Sequence, residues 1–166
     1  MKEKCVTYYT GSCRETVTLG RKLGTVLTSG DVIALVGELG SGKTCFTKGL
    51  ALGLGVPAEI IITSPSFSLM NEYAGRCTLF HMDIYRLQSL SDFISAGLEE
   101  YIYQDGVVVM EWADRRPDIL PDWRLRVELS IVDDLSRKIS MSSSHPRAEQ
   151  ILKTFDNCGD KIKQWH

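Results

Sequence analysis

The 166-residue sequence predicts a three-layer α/β domain with a mixed, mostly parallel central sheet flanked by helices. Three observations carry that prediction. Helix-like and strand-like segments alternate early in the chain, and strand-like segments then follow one another, the order expected when helices cover a mixed sheet. Residues 31–36 (DVIALV) form a short, almost unbroken apolar run of the kind buried on both faces of a sheet. Ten of the 14 glycines lie from Gly11 to Gly55, which concentrates special backbone geometry around that strand.

Each element follows in order. Residues 4–10 read as a short strand. Ser12 and Glu15 have capping-box spacing, with Ser12 able to cap a helix and Glu15 to reciprocate. The helix they open runs to about Leu27, with Val17, Leu19, Leu23, Val26 and Leu27 as its apolar positions. After the buried strand and a Gly-rich turn, a second helix over 43–54 places Phe46, Leu50 and Leu54 at i, i+4 and i+8, and Gly55-Val56-Pro57 stops it. Further strands are expected at 59–63, 67–73, 78–83, 106–112, 125–132 and 138–141, with short helices at 91–100 and 146–155. The stretch 140–146 (SMSSSHP) reads as a loop rather than a linker, so residues 1–166 are expected to form one domain.

Composition narrows the function classes. A chain that is 43% hydrophobic and 24% charged is neither disordered nor collagen-like. At this size it buries roughly 70% of its unfolded surface and needs no covalent staple. Lys+Arg 19 against Asp+Glu 21 argues against an autonomous binder of DNA or RNA, leaving open RNA contact shared with a partner. The five cysteines (Cys5, Cys13, Cys45, Cys77 and Cys158) are scattered without CxxC or Cys/His spacing, so neither a disulfide framework nor a zinc site is expected. No apolar run approaches the ~18 residues that span a bilayer, and the N-terminus lacks the apolar core of a signal peptide. The expectation is a cytoplasmic protein with no membrane partner.

One motif decides the class. Gly37-Glu38-Leu39-Gly40-Ser41-Gly42-Lys43-Thr44 fits G-x-x-x-x-G-K-[ST], directly after the buried strand and at the start of a helix. Glycines let successive N–H groups form a concave nest that phosphate oxygens enter closely, and the helix N-terminus adds unsatisfied donors. Lys43 brings charge to the β- and γ-phosphates, and Thr44 offers a hydroxyl to Mg²⁺. A guanine-specific domain usually carries Asn-Lys-x-Asp. Neither Asn71 nor Asn157 precedes a lysine, so ATP is favoured.

Such a site also needs an acid beside Mg²⁺, usually at a strand's C-terminal end. Asp83 and Glu111 both end apolar strands, and the pattern alone does not rank them. The hydroxyl-rich segment 63–68 (TSPSFS) is extended or turned, because Pro65 pushes Ser64 out of helical geometry; it could orient metal-bound water or be a plain polar turn. Trp112 could stack on a nucleotide or pack in the core. His81 reads as a strand residue rather than a base.

Together these motifs resemble the bacterial TsaE (YjeE) family of small P-loop ATPases. The matching blocks are Ser12–Thr16 with Leu19-Gly20, GELGSGKT at 37–44, TSPSFSLMNEY at 63–73, HMDIYRL at 81–87, LEEY at 98–101 and VVMEWADR at 108–115 with Leu120-Pro121. The resemblance implies an ATPase that works with the TsaD and TsaB proteins, touching tRNA only through that assembly, in placing threonylcarbamoyl on N6 of adenosine 37. It also implies roles: residues 37–44 on the phosphates, Thr44 and Glu111 on Mg²⁺, Asp83 and Lys43 in catalysis. The Ser12–Thr16 stretch, with Ser12, Glu15 and Thr16, would lie near the adenine, Ser64–Ser66 would form a switch-like loop, and Trp112 and Arg137 would lie against the nucleotide. The chain departs from the family pattern at Arg14, Ser66 and Ala113, where Glu, Thr and Pro are common. A small-molecule kinase is the alternative enzyme reading, though no arginine-rich lid is evident.

Overall fold

The computed structural model describes residues 3–157. Its sheet has seven strands: β1 (Lys4–Thr10), β2 (Val32–Val36), β3 (Met70–Tyr73), β4 (Leu79–Asp83), β5 (Val107–Glu111), β6 (Leu125–Ile131) and β7 (Arg137–Ser143). Four α-helices accompany them: α1 (Cys13–Val26), α2 (Lys43–Gly53), α3 (Leu90–Ser95) and α4 (Pro146–Asn157). The spatial order is β1-β7-β6-β2-β5-β4-β3. Parallel pairing is confined to the centre, where β2 lies between β6 and β5 and β5 pairs with β4. Both edges are antiparallel, so the sheet is mixed with three parallel and three antiparallel pairings.

Alternation along β2 explains the three layers. Ile33 and Leu35 face a core built with Leu19, Leu23, Phe46, Leu50, Leu152 and Phe155 of α1, α2 and α4. Val32 faces the opposite side, where Phe80, Met82, Val108 and Met110 meet Phe93 of α3, with Ile102 and Ile119. That second face is covered largely by 3₁₀ turns at Glu99–Tyr103, Ala113–Arg115 and Pro117–Ile119 rather than by long helices. Each fully buried leucine contributes about 1.5–3 kcal/mol of transfer free energy.

The contact of α1 with α2 is unusually close because glycines face each other across it. A Cβ on Gly49 would stand 2.2 Å from the Val17 carbonyl oxygen, and one on Gly53 2.2 Å from that of Arg21. From the other helix, a Cβ on Gly20 would stand 2.4 Å from the Phe46 carbonyl oxygen, and one on Gly24 2.4 Å from that of Leu50. The two backbones therefore touch directly.

Several expectations are corrected. No strand forms at 59–63: the chain there makes a turn followed by irregular backbone, and Ile61 is 80% exposed. The strand expected over 67–73 begins only at Met70, because residues 66–68 turn and Leu69 takes a positive φ of 68°. The helix expected over 91–100 breaks at Gly97, whose φ is +74°. Cys13 and Cys45 are joined in a disulfide, contrary to the expectation of none. The α1–α2 approach creates that pairing across 32 residues of sequence, which no local spacing announces. Cys158 and His166 lie outside the described residues.

Candidate functional site

The parallel strands β2, β5 and β4 end at one edge of the sheet, the position where open α/β sheets bind ligands. The loop after β2 is shaped by its glycines. Gly40 and Gly42 have φ of +81° and +98°, a region that side chains rarely adopt. Gly37 has no room for a Cβ, which would meet the Ser41 hydroxyl at 2.4 Å and the Leu129 carbonyl oxygen at 2.8 Å. Gly42 is the N-cap of α2, and no side chain caps the helix, so its first amides stay available to a ligand.

Lys43 folds back over this loop. Its ammonium donates to the carbonyl oxygens of Gly37 at 2.5 Å and Glu38 at 3.0 Å, and lies 4.0 Å from the Trp112 ring centroid. Burial lowers the Lys43 pKa, outweighing Glu111, Asp83, Asp114 and Glu38, which favour its charge. Trp112 itself sits at a φ of 60°, a left-handed conformation that costs an aromatic residue about 1–3 kcal/mol and that recurs at functional sites. Its ring also meets Tyr85 edge-on at 5.0 Å.

Sheet register brings the two acids together, since Asp83 and Glu111 are paired positions on β4 and β5. Ser64 lies between them, its hydroxyl 2.6 Å from Glu111 Oε2 and 3.0 Å from Asp83 Oδ2. One hydroxyl proton serves one carboxylate at a time, and Asp83 also accepts from the Tyr85 amide through Oδ1 at 2.9 Å. His81 is fully buried behind them, with Nε2 3.5 Å from Glu111 Oε2, an electrostatic contact rather than a formed hydrogen bond. Burial raises the Glu111 carboxyl, but the His81 ring, the Ser64 hydroxyl and Lys43 together prevail and hold it below the usual glutamate range.

A cleft of about 430 Å³ opens over these groups, walled by the phosphate loop and the first turns of α1 and α2, with Ser64, Glu111 and Trp112 opposite. Of the residues expected at the site, Thr16, Leu39, Gly40, Gly42, Lys43, Thr44, Glu111, Trp112 and Arg137 line it. Arg137 reaches it by donating to the Gly40 carbonyl oxygen at 3.0 Å, which ties the start of β7 to the loop. Asp83 stands just behind, through Ser64. Gly37 and Ser41 build the loop from beneath, Glu38 is exposed and presents its carbonyl oxygen to Lys43, and the Ser41 hydroxyl is buried without a partner among the described residues.

Three further expected residues, Ser12, Glu15 and Ser66, also stay off the cleft wall. Ser12 accepts from the Glu15 amide, and Glu15 accepts from the Gly11 N–H, so both are occupied in capping α1. Ser66 lies in the exposed turn, and Ser64 is the hydroxyl that reaches the acids. Sequence reasoning also missed Cys13, Cys45, Asp134 and Leu135 on the cleft wall. Two of them had a signal to find them by, Cys45 directly after Thr44 and Cys13 within the stretch 12–16.

The residues fit a hard divalent cation. No group of three or more His, Cys, Asp or Glu side chains that could hold a metal occurs among the described residues. Glu111 and Thr44 line the same cleft, with Asp83 behind through Ser64, and supply hard oxygen donors of the kind that serve Mg²⁺ when phosphate oxygens and water complete the shell.

This sheet, with its glycine loop between β2 and α2, defines a P-loop NTPase fold. The family model described as threonylcarbamoyl adenosine biosynthesis protein TsaE matches residues 10–139. A tRNA threonylcarbamoyladenosine biosynthesis protein TsaE of Treponema pallidum is 46% identical over 131 residues, covering 79% of this chain and 96% of that protein. The one from Bacillus subtilis is 37% identical over 147 residues, covering 86% and 90%. The crystal structure of Bacillus subtilis YdiB superposes with a TM-score of 0.79 at 33% identity, over 95% of this chain and 97% of that one. The chain belongs to the TsaE family. No helix among the described residues is long and apolar enough to cross a membrane.

Proposed function

We propose that this chain is a single-domain ATPase that binds ATP with Mg²⁺ and hydrolyses it in support of tRNA threonylcarbamoyladenosine synthesis, working in the cytoplasm with the TsaB and TsaD proteins. The observation that carries the reading is the convergence of Lys43 of the glycine loop with the carboxylates of Glu111 and Asp83 at the ends of parallel strands. In this reading the amides of residues 37–44 cradle the phosphates, and Lys43 exchanges its two carbonyl partners for phosphate oxygens. Thr44 and Glu111 would hold Mg²⁺, which when bound neutralises charge on the phosphate oxygens. Asp83 would accept a hydrogen bond from the attacking water and orient it. Thr16 and Arg137 close the side of the cleft.

The test is phosphate release by the wild type and Lys43→Ala, each alone and with TsaB and TsaD. Slow hydrolysis alone, stimulation by the pair, and a loss of orders of magnitude in a folded Lys43→Ala protein are expected. Unchanged hydrolysis in that variant would overturn the assignment of the loop. Failure to associate with TsaB and TsaD in an ATP-sensitive way would overturn the partner assignment.

A further inference from the structure

We propose that Cys13 and Cys45 form a reversible oxidation site that sets how tightly the phosphate loop holds its nucleotide. Both line the cleft beside Thr16, Gly42, Lys43 and Thr44, and they are bridged with Cα atoms 5.9 Å apart. Cys13 is exposed and Cys45 half-buried, so the pair is open to small oxidants and reductants. Cys5 and Cys77 stay unbridged, so oxidation at either stops at a mixed disulfide.

The bridge is not what holds the two helices together. One turn and more further along, Gly20, Gly24, Gly49 and Gly53 already bring the backbones of α1 and α2 into contact. What the bridge adds is local: it ties the first turn of α1, which presents Thr16, to the first turn of α2, which presents Thr44. Both turns are walls of the cleft, and the cleft stays open with the bridge in place. Fixing those walls removes freedom that the protein would otherwise lose on binding, which favours tighter binding and slower release. By linkage, a bound nucleotide favours the bridge by the same factor.

The chemistry needs a two-electron oxidant, here a low-molecular-weight disulfide such as oxidised glutathione. The more exposed Cys13 sulfur attacks it as thiolate, forming a mixed disulfide and releasing one thiol. The Cys45 sulfur then attacks Cys13 Sγ, forms the internal bond and releases the second thiol. Two electrons pass from the cysteine pair to the oxidant, whose two sulfurs leave carrying the two thiol protons. A dithiol reductant reverses both steps.

The coupling rests on the nucleotide reading above, and the experiment separates the two. Full-length protein is treated with oxidised glutathione or with dithiothreitol. Thiols are then counted after denaturation, and the affinity and release rate of a non-hydrolysable ATP analogue with Mg²⁺ are measured. Oxidation is expected to remove the Cys13 and Cys45 thiols without leaving glutathione on either, to tighten binding roughly three- to tenfold and to slow release. Cys13→Ala is expected to lose no thiol pair and to show the same affinity under both treatments, whereas Cys5→Ala behaves like wild type. The analogue is expected to shift the thiol–disulfide equilibrium by the same factor as oxidation shifts its affinity. An unchanged thiol count, an identical thiol loss in Cys13→Ala, or affinities within twofold of each other or weaker when bridged would overturn the proposal. If neither form binds the analogue while two thiols still disappear, the nucleotide reading fails and the coupling falls with it, although the bridge stands.

Discussion

Replacing Gly49 by alanine tests whether the α1–α2 contact sets the position of the phosphate loop. The added Cβ would stand 2.2 Å from the Val17 carbonyl oxygen, 2.8 Å from the Arg21 nitrogen and 2.9 Å from the Gly20 Cα. All three are backbone atoms, so no side chain can rotate away. Relief requires the helices to separate by roughly an ångström, loosening the layer that includes Leu19, Leu23, Phe46 and Leu50. Overpacking of this kind costs about 1–3 kcal/mol and occasionally more, and rigid neighbours on every side put Gly49 at the top of that range. Alanine returns about 1 kcal/mol of helix propensity. The net is about 2 kcal/mol of destabilisation, which for a chain of this size lowers Tm by roughly 4–8 °C. Because Lys43 and Thr44 begin the helix that must move, ATP affinity should fall as well. Urea denaturation under reducing conditions measures the first effect, and nucleotide titration the second. Gly11→Ala is the comparator, since its Cβ would meet only the Glu15 carboxylate at an ordinary 3.5 Å. A Gly49→Ala protein as stable as Gly11→Ala would refute the reasoning.

Four further outcomes follow from the site. Glu111→Ala should weaken Mg²⁺-dependent ATP binding, with partial recovery at high Mg²⁺ by mass action. Asp83→Asn should leave binding near wild type and lower kcat, so the reverse pattern in titration and turnover assays would exchange the two roles. Since Glu111 titrates lower folded than unfolded, the unfolded chain takes up its proton first on acidification. The stability Glu111 contributes is therefore full above the ordinary glutamate value near 4.5 and is lost as pH falls through the folded value, and Glu111→Gln should remove that part of the acid slope in denaturation midpoints. ATP should bind at least as tightly as GTP, and a strong GTP preference in competition would contradict the base assignment.

Legibility in the sequence followed how local each determinant is. The cap of α1 by Ser12, the buried run of β2 and the glycine loop depend on neighbouring residues, and each was readable. Asp83 and Glu111 were readable as strand ends, but not as partners, because register between β4 and β5 is a pairing across 28 residues of chain. Residues 60–62 mislead for a related reason. Three isoleucines suit a strand, yet neither side of β2 is open to them, being taken by β5 and β6. Ile62 packs inward and Ile61 is left outside. Phe67 looked like a strand residue and is 83% exposed, because Pro65 and the following turn hold it off the sheet. The Cys13–Cys45 pair depends on glycines a turn or more away, a signal that no spacing between cysteines contains.

The register of Asp83 against Glu111 turns the pitch of the sheet into a ruler. Neighbouring strands lie about 4.8 Å apart, a distance the backbone ladder enforces whatever side chains are attached. The two acids therefore start from a common baseline, and their arms differ in length, one carboxyl being a methylene farther out than the other. Exchanging aspartate and glutamate would preserve charge, composition and fold while reversing which oxygen leads. What separates the two positions is thus reach, set by one methylene.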